Sequence, residues 1–134
     1  METSFVFCTD ATSDPEGRLN IAGVYNELYA PGFPARQDRL VLAGIVAWDN
    51  GELGRIPFHI ELVDPSGRTA FTVEGHTEVS ARSDSDAPPK TQLILPMEKV
   101  TFDEPGRYHA AIRINDEDVN GPSLYVLRTP ESRD

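Results

Sequence analysis

No window of this chain carries the apolar stripe of an amphipathic helix; apolar residues instead alternate or run in short blocks, broken at short intervals by Gly, Pro, Asn and Asp. Without crossover helices, the strands are expected to form antiparallel sheets. The blocks predict strands over residues 3–9, 18–27, 39–48, 56–63, 69–79, 91–98, 107–115 and 121–128. About eight short strands of this kind make an all-β fold, an antiparallel sandwich or a barrel.

Turn chemistry fixes some of the pairings. Asp64-Pro65-Ser66-Gly67 places Pro where φ is preset and Gly where positive φ is allowed, so strands 56–63 and 69–79 should form a hairpin. Asn50-Gly51 marks a turn after Trp48, and Asn115 to Asn120 should close a hairpin between 107–115 and 121–128. The stretch ARSDSDAPPK, residues 81–90, reads as a surface loop. Neither an internal repeat nor a domain boundary interrupts the pattern, and 134 residues suffice for one core, so the expectation is a single domain over 1–134.

Period-two alternation assigns the faces. Leu19, Ile21, Val24, Ile56, Phe58, Ile60, Leu62, Leu95, Tyr108, Ala110, Ile112 and Ile114 are expected to face the core. The run LVLAGIVAW, residues 40–48, is apolar on both faces: Leu40, Leu42, Val46 and Trp48 point one way, Val41, Ala43, Ile45 and Ala47 the other. A sheet that is apolar on both sides needs a cover. Self-association through this stripe, with a homodimer as the smallest closed solution, is one expectation. The alternative is a long loop, 28–38 or 81–90, folded over it, or a sheet curled into a barrel.

The formal net charge of −10 argues against nucleic acid and anionic membranes as partners. Cys8 is the only cysteine, which excludes an intrachain disulfide and favours a reducing compartment. With no signal-peptide pattern at METSFVFCTD and no apolar run of transmembrane length, the expected location is cytoplasmic.

In FDEPGRYHAAIRIND, residues 102–116, an acidic turn delivers Tyr108 into an alternating strand. This resembles the tyrosine corner of immunoglobulin-like sandwiches, with Ala110 where antibody domains carry a core cysteine. Phe7-Cys8 with Asp10, the segment GRLNIAGVY from Gly17 to Tyr25, Asp64-Pro65-Ser66-Gly67, and Phe102 with Pro105-Gly106-Arg107-Tyr108 together resemble an uncharacterised bacterial family of small β-sandwich proteins. The resemblance implies an immunoglobulin-like sandwich and a bacterial setting, and no activity.

Candidate chemistry is sparse. His59 and Glu61 form an H-x-E pair on one strand face but lack a third ligand, and a solvated polar face is the simpler account. There is no G-x-S-x-G elbow, no phosphate-cradling glycine loop, and no base placed beside Cys8, Ser66, Ser80 or Ser123. An enzyme therefore ranks third, and no cofactor is expected. Antiparallel order would bring loops 10–17, 49–55, 81–90 and 116–120 to one end, where Asp14, Asp49, Asp84, Asp86, Asp116 and Asp118 could hold calcium; that is the second reading. At the other end, loop 28–38 offers Tyr29 and Phe33 for a protein partner. The leading expectation is a non-enzymatic binding or assembly module acting through protein–protein contacts, with Tyr29, Phe33, Val41, Ile45 and Val46 as the partner-binding residues.

Overall fold

A computed structural model describes residues 1–49, 51–80 and 87–130. Ten strands follow in chain order: β1 (Glu2–Ser13), β2 (Leu19–Val24), β3 (Glu27–Ala30), β4 (Ala35–Ala47), β5 (Gly54–Val63), β6 (Thr69–Val79), β7 (Lys90–Phe102), β8 (Gly106–Ile114), β9 (Glu117–Val119) and β10 (Ser123–Arg128). They form two sheets, ordered β2-β1-β4-β7 and β3-β10-β8-β5-β6, with β9 also pairing β8. Every pairing is antiparallel except that of β3 with β10.

The expected strands are present, with two additions. The segment expected as one strand over 18–27 divides into β2, in the first sheet, and β3, which starts at Glu27 and crosses to the second. The hairpin after β8 turns tightly through Asn115 and Asp116, both at positive φ, as a two-residue turn matching strand twist requires. It forms β9, and after residues 120–122 the chain resumes pairing along the same edge of β8 as β10.

The space between the sheets is filled by Phe7, Leu40, Leu42, Val46, Trp48, Ile56, Ile60, Leu62, Met97, Val100, Phe102, Tyr108, Ile112, Ile114, Leu124 and Val126, all buried. Each such side chain contributes roughly 1.5–3 kcal/mol by leaving water, enough together to hold the sandwich without a disulfide. Trp48 keeps its indole N–H satisfied by donating to Thr91 Oγ1 at 2.8 Å. Phe58 and Leu95 are only partly buried at the margin of this core.

The second apolar face of β4 is covered from within the chain. Strand β1 changes partner at Cys8: Glu2–Cys8 pair with β4, whereas Cys8–Ser13 pair with β2. The β1–β2 hairpin lies on the outer face of β4 and β7, where Cys8, Ala11, Val41 and Ala43 form a second, thin core against Leu19 and Ile94. Gln92 Nε2 donates to the carbonyl of Gly17 at 2.6 Å and fixes the hairpin tip, and Arg39 reaches Asp10 at 3.3 Å. The cover is thus neither loop 28–38 nor a barrel closure.

This arrangement overturns several assignments. Val41 is buried beneath the hairpin, Val46 lies in the main core and Ile45 is half-buried, so Val41 and Val46 present no surface to a partner. Ile21 and Val24, expected in the core, are 39% and 61% exposed, because β2 is an edge strand with only Leu19 turned toward the sheet. The segment GRLNIAGVY now has a physical content. Gly17 closes the turn at φ 80°; Leu19 packs on the outer face; Gly23, at φ 66°, leaves room where a Cβ would fall 2.4 Å from Thr9 Oγ1; and the Tyr25 amide donates to the Phe7 carbonyl at 2.7 Å.

Candidate partner-binding groove

The end of the sandwich where β3 leads into β4 and β7 leads into β8 is closed by aromatic packing. Phe102 is fully buried and meets the Tyr108 ring edge-on, with centroids 5.0 Å apart and planes at 81°. The Tyr108 hydroxyl donates to the Glu104 carbonyl at 2.7 Å, which makes the expected tyrosine corner and confines Tyr108 to a structural part. Burial pushes the Tyr108 phenol above its ordinary pKa, so it stays a neutral donor.

Above this floor lies a cavity of about 340 Å³ whose wall includes Leu28, Tyr29, Pro31, Pro34, Arg36 and Phe102. Tyr29 is 53% exposed, and its hydroxyl donates to Glu27 Oε2 at 2.6 Å, which raises the phenol pKa. Phe33 is half-buried against the core, and the guanidinium of Arg128 sits 5.5 Å above its ring. Within this loop Phe33 packs with Phe102 against the core, while Tyr29 is left at the surface. Sequence reading passed over Arg36 and Arg128. Arg128 is far from the loop in sequence and reaches it because β10 pairs in parallel with β3, Arg128 opposite Ala30.

The acidic residues proposed for calcium are dispersed. Asp14 sits in the β1–β2 turn, where its carboxylate accepts from the amides of Glu16 at 3.0 Å and Arg18 at 2.9 Å, from Arg18 Nε at 2.7 Å and from Asn20 at 3.3 Å. The Arg18 amide is the chief reason its pKa is lowered. This turn lies against Gln92 on the outer face of the first sheet, because the hairpin is folded over that face. Asp49 accepts from the Met1 ammonium, Asp118 pairs with Arg113 at 3.4 Å, and Asp116 occupies the β8–β9 turn. Asp84 and Asp86 lie outside the described residues. Among the described residues no group of three or more His, Cys, Asp or Glu side chains converges to hold a metal ion.

On the outer face of β5, His59 stands between two carboxylates, Nδ1 2.7 Å from Glu74 and Nε2 3.2 Å from Glu61. Hydrogen bonding to Glu61 is the largest influence raising its pKa, opposed by partial desolvation and reinforced by Glu74. A shallow cavity of about 260 Å³ adjoins it, with Arg113 and Asp116 on its wall. The two carboxylates approach opposite nitrogens of the ring, so they do not converge on one ion. Cys8 is buried, its thiol pKa raised by that burial, and no base among the described residues activates it.

No helix among the described residues is long and apolar enough to cross a membrane. Comparison with curated proteins finds no match. Among solved structures, the chain is similar to Pseudomonas fluorescens alkylpurine DNA glycosylase AlkC bound to DNA containing an abasic site analog, at 12% identity and a TM-score of 0.44. That similarity covers 93% of this chain and 30% of the glycosylase chain. The model of a family of unknown function, DUF6941, matches residues 3–127, which is nearly the whole sandwich, and the chain belongs to that family.

Proposed function

We propose that this protein is a non-enzymatic binding module of a reducing compartment that captures an extended segment of a partner protein in the groove between β3, the 31–34 loop and the start of β4. The observation that carries the reading is the groove itself: an apolar wall of Leu28, Pro31, Pro34 and Phe102 with Tyr29 exposed at its rim. An exposed tyrosine over an apolar wall matches the aromatic enrichment of protein-binding patches. β3 is also an edge strand, so a segment laid along it can add backbone pairing to side-chain contacts. Buried, unpaired Cys8 is compatible with a reducing location.

The test is a random dodecapeptide library displayed on phage and panned against the intact chain. Enriched peptides should bind wild type and lose at least about thirtyfold in affinity with Tyr29→Ala, a hot-spot-sized effect. Failure to enrich any peptide, or binding indifferent to Tyr29→Ala, overturns the reading.

A further inference from the structure

The groove also carries a charge signature that specifies its occupant. Arg36 supplies the one charge on its wall, and Arg128 is stacked on Phe33 of the loop that forms that wall. Neither guanidinium has a carboxylate within ion-pair distance among the described residues, although the chain holds 22 Asp and Glu against 12 Lys and Arg. Arg18, Arg39, Arg68 and Arg113 have such a partner, and Arg55 and Arg107, which do not, are hydrogen-bonded to His76 and Ser123 instead. The nearest carboxylate along β3, Glu27, is engaged by the Tyr29 hydroxyl. From this we infer, resting on the binding reading above, that the partner segment carries an Asp or Glu next to an aromatic or proline residue. Its carboxylate pairs with Arg36 and Arg128 while its apolar neighbour fills the space above Phe102.

The net charge of −10 does not forbid such a ligand. The acidic turns after β4 and β8 lie at the opposite end of the sandwich, separated from the groove by the length of β4, about 40 Å for its 13 residues at strand rise. Charges at that distance are several Debye lengths away, each about 8 Å at physiological salt, so they do not set the field at the groove, where Arg36 and Arg128 stand beside the nearer acids Glu27, Asp38, Asp103 and Glu104. Planar guanidinium groups recognise carboxylates through paired, charge-assisted hydrogen bonds, which a neutral amide cannot replace in kind.

Peptides enriched from the phage library provide the test, each synthesised with its Asp and Glu intact and again with Asn and Gln in their place. The enriched set should be rich in Asp or Glu adjacent to aromatic or proline residues. The amide versions should bind wild type at least about tenfold more weakly, and Arg36→Gln and Arg128→Gln should weaken only the acidic versions, the coupling that marks a direct pair. Equal binding of acidic and amide versions, or enrichment of neutral or basic peptides, overturns the inference while leaving the binding reading intact as long as Tyr29→Ala abolishes capture. Binding that survives Tyr29→Ala removes both. If the mass of the chain alone rises with concentration and Arg36→Gln returns it to a monomer, the carboxylate belongs to a second copy, and the partner-protein assignment falls. Arg36 is exposed, so its variant should fold; an unchanged melting curve verifies this.

Discussion

The Tyr108 hydroxyl is hydrogen-bonded to the backbone of Glu104, donating to its carbonyl at 2.7 Å while the Glu104 amide approaches the same oxygen at 3.4 Å. One side chain thereby ties the start of β8 to the turn that leads into it, beneath the groove floor. Tyr108→Phe keeps the ring and its contact with Phe102 but leaves a half-buried carbonyl without its partner. It should cost about 1–3 kcal/mol, seen as a lower urea midpoint with an unchanged slope.

The hairpin cover gives a second prediction with two arms. Ala43 is buried between β4 and the β1–β2 hairpin, so Ala43→Asp places an unpaired charge in a dry layer and should cost at least about 3 kcal/mol. Ile21→Asp, on the exposed side of the same hairpin, should change stability by no more than about 0.5 kcal/mol. Thermal melts distinguish this from an open stripe, for which Ala43→Asp would be tolerated by the isolated chain.

His59 provides a pH signature. Its folded pKa is raised, so its contribution is fully present below the unfolded value of about 6.5 and is lost as pH rises through the folded one. Melting temperatures between pH 5.5 and 8.5 should therefore fall with rising pH by a component that His59→Gln removes. An identical profile in the variant would mean that the Glu61 and Glu74 contacts do not persist in solution.

Calcium should not stabilise the protein. The described candidate carboxylates already hold amides, an arginine or the terminal ammonium, or sit in a turn, and a tight site would add about 2.7 kcal/mol at one hundred times its Kd. Melting in millimolar calcium should match melting in magnesium. A calcium-specific rise would mean that the acidic turns converge after all.

Much of the sandwich was legible because alternation and turn residues act locally. Ile60, Leu62, Tyr108 and Ile112 are buried as period two requires, and Asp64-Pro65-Ser66-Gly67 closes the β5–β6 hairpin. The first hairpin was harder, although its signal was present: Asp14-Pro15-Glu16-Gly17-Arg18 has the same form as Asp64-Pro65-Ser66-Gly67-Arg68. In both, the leading Asp accepts from the backbone amides two and four residues on. Reading that echo would have marked Asp14 as a turn residue rather than a calcium ligand. The fold-over of the hairpin was not legible, because Val41 and Ala43 show that a cover is needed without saying which segment supplies it. Nor was Arg128, whose place beside Phe33 follows from the parallel pairing of β3 with β10, a contact between strands nearly a hundred residues apart, as Arg128 and Ala30 are.

Backbone amide spectra of the labelled chain, recorded while one enriched peptide is titrated in, test the central claim most directly. Binding in the groove predicts shifts over residues 28–37, at Phe102 and at Arg128, with the acidic turns after β4 and β8 unmoved. Shifts confined to β2, or to the His59 face of β5 and β6, would contradict it and place the binding surface elsewhere on the sandwich.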